Sequence, residues 1–187
     1  TDRGLVEVAN PSALFLAERR GNVSGAAVFA GIEGTRPVLV EVQALLAPNP
    51  GGSPRRSVVG WDSGRLAMLL AVLESRCGLN FSSAEVYLNI AGGYRLTDPA
   101  ADLAVAAALV SALADRPLPD KSAWFGEVSL AGEIRPVAHA PLRLREAAKL
   151  GFARCYGPAG GANGERGADY RGLAALANVV DQVMGSA

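Results

Sequence analysis

Lysine is almost missing from this chain: Lys121 and Lys149 are the only two, and the remaining basic charge is arginine. That bias is compatible with genome composition, with heat adaptation or with contacts to anions. Histidine is scarcer still. His139 stands alone, without a cysteine, histidine or carboxylate cluster at ligand spacing, so it reads as a loop residue rather than a metal ligand. A Ser-His-Asp system would have one possible base, and Ser12, Ser111, Ser122 and Ser129 carry no local signature of a nucleophile. Two distant cysteines, Cys77 and Cys155, exclude a disulfide framework and a zinc knuckle and read as buried thiols of a cytoplasmic protein. No apolar run reaches the ~20 residues of a membrane span, because the stretch from Leu103 to Leu113 is short and flanked by Asp98 and Asp115. No membrane association is expected. Glycine pairs stand at 51–52, 92–93 and 160–161, but none precedes a Gly-Lys-Ser/Thr and no G-x-G-x-x-G occurs, so they read as turns rather than phosphate loops.

What is present is a chain of 187 residues, half of them hydrophobic, with zero formal net charge. That suffices for one compact domain, and neutrality argues against a protein that coats DNA while leaving room for a basic patch balanced by acids elsewhere. The chain opens Thr-Asp-Arg-Gly without methionine or signal sequence and is expected to be a fragment of something longer. Residues 4–10 read as a strand, and 10–19 as a helix capped by Asn10 with Pro11 behind it. Two apolar strands, 24–34 and 37–46, flank a hairpin turn at Gly34 to Pro37. The Pro-, Gly- and Ser-rich segment 47–56 is the most flexible and ends in Arg55 and Arg56. A helix is expected over 62–78, with Asp62 as cap, Leu66, Leu69, Leu70 and Leu73 at helical spacing, and Gly78 as stop. A strand follows at 84–93, then a small-residue helix over 98–114. Two strands are placed around Leu130-Ala131-Gly132 within 124–137. Helix 141–152, strand 153–158, loop 160–169 and a closing helix 171–185 complete an α/β chain with a mixed sheet rather than a regular parallel winding.

The order of several pieces carries more information than any one of them. A strand ends in Gly92-Gly93, a helix opens Asp98-Pro99-Ala100-Ala101-Asp102, a hairpin reads Gly126-Glu127-Val128-x-Leu130-x-Gly132-x-Ile134, and the next helix closes with Ala147-Ala148-x-x-Gly151. In this order the chain resembles the proteolytic domain of the Lon family, whose fold is of the ribosomal protein S5 domain 2 type. There the helix opens Gly-Pro-Ser-Ala-Gly and a lysine in the following helix completes a Ser-Lys dyad. The resemblance places Ala100 at the serine and Arg143, 43 positions on, at the lysine. Alanine has no hydroxyl to attack with, and a guanidinium of pKa above ~12 does not give up its proton to act as a base. Lys149 is no substitute, lying about 9 Å further along the same helix and pointing elsewhere.

A second set of residues runs along essentially the whole chain: Asn10-Pro11-Ser12 with Phe15-Leu16, Glu33 to Leu45, Pro54-Arg55-Arg56, Arg65-Leu66-Ala67, Ala101 to Ala104, Arg116 to Pro119 and Phe125 to Arg135. Here the chain is similar to the C-terminal domain of the RadA (Sms) family of bacterial DNA-repair ATPases, which keeps the Lon-like fold without the dyad. The resemblance implies one noncatalytic domain over 1–187, with a zinc finger and a RecA-like ATPase preceding it. Zinc, ATP and magnesium would belong to those domains, and no cofactor or metal to this one. It further implies a homo-hexameric ring, sequence-independent DNA binding during recombinational repair and branch migration, and other recombination and repair proteins as partners. Arg55, Arg56, Arg65, Arg95, Arg135 and Arg143 are the DNA-contact candidates, since arginines on loops and element ends reach phosphates without reading bases. Two rival readings are a purely structural oligomerisation module and a residual Ser-Lys peptidase.

Overall fold

Strand β1 (Ala26–Glu33) turns at Gly34, φ 63, into β2 (Arg36–Pro48), and the two pair antiparallel from Ala26↔Gln43 to Glu33↔Arg36. The expected hairpin is therefore present. It is entered through Gly25 at φ 83, where the backbone passes so close to β2 that a Cβ would lie 2.2 Å from the Ala44 carbonyl oxygen. Only glycine fits both the dihedral and the approach. The computed structural model describes residues 23–161 and 168–185; the expected strand 4–10, the helix 10–19 and most of the loop 160–169 lie outside them.

Beyond the hairpin come β3 (Arg56–Val59), α1 (Ser63–Cys77), β4 (Ala84–Ile90), a 3-10 turn at Pro99–Ala101, α2 (Asp102–Ala114) and β5 (Ser122–Trp124). Then follow β6 (Glu127–Val128), β7 (Ile134–Arg135), α3 (Ala140–Lys149), β8 (Arg154–Pro158), β9 (Asp169–Leu173) and α4 (Leu176–Met184). Seven strands form one sheet in the order β3-β4-β2-β1-β5-β8-β9. The β1/β2 and β2/β4 pairs are antiparallel and the other four are parallel, so the sheet is mixed, as expected. The short β6 and β7 pair separately and antiparallel, Glu127↔Arg135 and Val128↔Ile134.

Helix α1 starts and stops where its cap residues say. The Asp62 carboxylate accepts from the Arg65 amide at 2.8 Å, and Gly78 ends it in the left-handed conformation, φ 70, with its N–H bonded to Glu74. Leu66, Leu69, Leu70, Val72 and Leu73 are its buried residues. α2 differs because it has no polar face: every residue from Asp102 to Ser111 is buried. A helix that is apolar all round belongs in a core. Its alanines let it lie close to β1 and β2 on one side and to α4 on another.

Three strands were not anticipated from the sequence. β3 and β5 are too short for a periodic signal, and β9 replaces the first turn of the expected helix 171–185. Residues 169–173 lie along β8, from Arg154↔Asp169 to Pro158↔Leu173, and α4 begins only at Leu176. The parallel partner, fifteen positions back in the chain, overrides a local pattern that reads equally as helix. Cys155 on β8 is buried, and burial pushes its thiol up to about 12, which makes it inert; Cys77 is half-buried rather than buried. No helix among the described residues is long and apolar enough to cross a membrane.

Candidate functional site

The turn into α2 is built by side chains that close on it from three elements. Asp98 caps it, one carboxylate oxygen accepting the Ala100 amide at 3.0 Å, and Pro99 follows where its missing N–H costs nothing. The Ala100 side chain is completely buried, and its carbonyl accepts the Gly126 amide at 2.8 Å. The Gly126 carbonyl accepts the Leu103 amide at 3.0 Å. Position 100 is thus a methyl group sealed in the core, pinned to the strand end that leads into β6.

Position 143 is committed just as firmly. The Arg143 guanidinium is 3% exposed, and its three nitrogens donate to the Ala138 carbonyl at 3.0 Å, the Ala30 carbonyl at 2.8 Å and the second oxygen of Asp98 at 2.9 Å. It also lies 5.8 Å from the ring centroids of both Phe29 and Phe125. The two positions that the Lon resemblance singles out do converge, Arg143 reaching the residue that caps the turn holding Ala100. What they form is an internal ion pair. Arg143 is accordingly removed from the DNA-contact candidates, because each of its three nitrogens has an internal partner and the side chain is buried away from any phosphate.

Asp102 shows a second arrangement of the same kind. Its carboxylate is completely buried and receives Nε of Arg65 at 2.6 Å, a second Arg65 nitrogen, and the Val128 amide at 3.0 Å. Burial pushes the Asp102 carboxyl above its ordinary range, while the Arg65 hydrogen bonds and the Val128 amide pull the other way. The hydrogen bonds to Asp102 hold the Arg65 guanidinium more firmly protonated, which is the behaviour of an ionised, bidentate pair. The charge at position 102 is therefore neutralised and ties α1, α2 and β6 together. Its partner lies 37 residues away, so no local motif announces it.

The remaining arginines separate into two places. Arg56, Arg65 and Arg95 line one open cleft of about 720 Å³, together with Trp61, Asp62 and Ser63 at the start of α1. Leu96 donates its amide to the Gly60 carbonyl at 2.8 Å, which fastens the Arg95 segment to the end of β3. Arg56 is held in place by the carbonyls of Ala84 (2.6 Å) and Phe81 (3.1 Å). Carbonyls orient a guanidinium without neutralising it. Arg65 shows the cleft its outer edge, its side chain 28% exposed. Arg55 precedes β3 and is exposed, as is Arg95. Among the described residues, the one carboxylate lining the cleft is Asp62. Arg135 stands apart, on β7, in a loose and exposed pair with Glu133 at 3.8 Å. Three of the six sequence candidates thus share one cleft. Ser63 and Thr97, hydroxyl donors in its lining, carry no sequence signal that separates them from other surface residues.

With this geometry in hand, the comparisons with known proteins can be placed on it. A family model described as subunit ChlI of Mg-chelatase matches residues 64–160, from the start of α1 to just past β8 and more than half of the chain. The chain belongs to that family. It is also similar, along its whole length, to the protein named DNA repair protein RadA of Brucella abortus (strain 2308): 57% identical over 188 aligned positions, 100% of this chain and 40% of that protein. The RadA of Rickettsia bellii (strain RML369-C) is 61% identical over 149 residues, 80% of this chain and 33% of that protein. The RadA of Streptococcus pyogenes serotype M1 is 43% identical over 183 residues, 96% of this chain and 40% of that protein. The chain therefore spans a third to two fifths of the length of these relatives.

If the turn into α2 is scaffold, Ala100→Ser is expected to confer no turnover of peptide or casein substrates. The residue at the base position is a guanidinium, which does not give up its proton at neutral pH, and it is already bonded to Asp98. Appearance of hydrolysis or of a covalent acyl adduct by mass spectrometry would contradict this.

Proposed function

We propose that this chain is a noncatalytic, Lon-like domain of a RadA-type DNA repair ATPase. In this reading it forms one tier of a hexameric ring and contacts the DNA backbone without reading sequence, during recombinational repair and branch migration in the cytoplasm. Zinc, ATP and magnesium would act in the preceding domains, and recombination proteins would be met by the assembled particle. The observation that carries the reading is how the arginines are divided. Arg143 is consumed by an internal ion pair where a peptidase needs a neutral amine, whereas Arg56 and Arg95 keep their charge at an open cleft. The whole-length likeness to DNA repair proteins supports the same reading more strongly than the family description, which names a Mg-chelatase subunit.

The cleft supplies cations fixed at defined places, while Arg55, just before β3, lies outside its lining and near Tyr87. Such a surface binds phosphates by displacing counterions, so its affinity falls steeply with salt and hardly varies with base sequence. The experiment is a titration of duplexes of unrelated sequence against the chain at several salt concentrations, with its mass measured in parallel by ultracentrifugation. Equal affinities with a negative log–log slope support the DNA reading. A ring that binds no DNA at low salt would leave the purely structural module.

A further inference from the structure

Five large apolar side chains stand well exposed among the described residues, and three of them fall into a matching pair of features. Leu45 and Val59, 63% and 61% exposed, line an apolar pocket of about 350 Å³ with Tyr87. The pocket exists because the outer face of β2, β4 and β3 is uncovered there. Leu45, Tyr87 and Ser57 form one row across the strands and Gln43, Asn89 and Val59 the next, while Val86, Leu88 and Ile90 alternate into the core. The third residue, Leu130, is 67% exposed at the tip of the β6–β7 hairpin. The tip is rigid. Ser129 and Glu133 are bridged at 3.0 Å, the Gly132 amide donates to the Ser129 carbonyl at 2.9 Å, and Nε of Arg76 on α1 donates to the Leu130 carbonyl at 3.4 Å.

We infer that Leu130 of one copy enters the Leu45–Val59–Tyr87 pocket of the next, so that the chain assembles head to tail. The inference rests on the ring reading above and names the surfaces that would make it. A knob and a pocket carried on different elements make a heterologous contact, which propagates around a ring when the rotation closes. The charges around the two features favour a second copy as the occupant. On the face that holds the pocket, Glu85 receives the Tyr87 hydroxyl and Glu41 receives the Gln43 amide at 2.9 Å. Two carboxylates thus flank the pocket, and Arg55 also stands near Tyr87. Beside the knob stand Arg76, exposed and without an ion pair among the described residues, and Arg135, whose only such partner is Glu133 across solvent. Arg76 would then face Glu85, with Arg135 beside the knob already balanced by Glu133 and with Glu127 on the same surface.

The test uses the chain with Cys77→Ser as background. Leu130→Cys combined with Leu45→Cys is expected to give a ladder of disulfide-linked oligomers under oxidising conditions, and neither substitution alone should. Leu130→Asp should reduce the particle to monomer at tens of micromolar. Arg76→Glu should raise the concentration needed for assembly at least tenfold, and adding Glu85→Arg should restore it, which keeps the test decisive if Leu130→Asp misfolds. An intact ring in Leu130→Asp with no ladder from the cysteine pair would overturn these surfaces and leave the ring standing. An unmodified chain that stays monomeric would overturn both.

Discussion

Replacing Arg65 by methionine is expected to destabilise the chain by roughly 3–5 kcal/mol at neutral pH, the range for removing one member of a buried ion pair. The reason is Asp102. Its side chain is completely buried, and without Arg65 it keeps only the Val128 amide as a donor. A lone carboxylate there either unfolds the first turn of α2 or takes up a proton. The pH dependence separates these effects from loss of packing. Burial already places the Asp102 carboxyl above its unfolded range, so the native state holds that proton more tightly than the unfolded chain. Stability from this group is therefore full below the unfolded carboxyl pKa and declines as pH rises through the folded one. Losing Arg65 removes what pulls the folded value down and extends the decline upward. The deficit of Arg65→Met against the unmodified chain should be small near pH 4 and grow toward pH 8 in denaturant titrations. A deficit that does not change with pH would mean that Asp102 is not the group responsible. Asp102→Asn together with Arg65→Met should recover much of the loss, since it takes away the stranded charge.

Arg55→Glu with Arg95→Glu should weaken duplex binding on the order of 100-fold near 0.1 M salt, taking about 1.5 kcal/mol for each lost contact to a charged group. The log–log salt slope should become shallower by about 1.8, two phosphates at about 0.9 each. These two arginines are chosen because both are exposed, and exposed substitutions away from structural contacts usually change stability by less than about 0.5 kcal/mol. Arg56 and Arg65 would be poor choices. One holds the carbonyls of Phe81 and Ala84 and the other holds Asp102, so their loss would mix fold with contact. The weakening should be equal for all sequences. Unaltered DNA affinity in the double variant, with a dissociated ring, would sink the assignment of these arginines to DNA.

Local signals in the chain were enough for the elements that carry their own punctuation. Asp62 and Gly78 bracket α1, Gly34 turns β1 into β2, and Asp98-Pro99 opens the 3-10 turn that leads into α2, because caps and turns are decided by residues within a few positions of one another. The small apolar helix over 98–114 could likewise be read as a core helix from composition alone. The order of these pieces also sufficed to single out positions 100 and 143, where alanine and arginine stand in place of the serine and lysine of the Lon resemblance.

The tertiary structure alone decided the strands β3, β5 and β9, whose partners lie fifteen or more positions away along the chain, and the fate of each arginine. The arginines can be read in isolation no further than this: an arginine next to a glycine pair, on a strand end or on a helix looks the same in sequence whether it meets a phosphate or an acid. Only the fold brings Asp98 to Arg143 and Asp102 to Arg65, across 45 and 37 residues, and leaves Arg55 and Arg95 facing solvent. A guanidinium's role depends on what stands within about 4 Å of it, and that distance is set by packing rather than by neighbours in the chain.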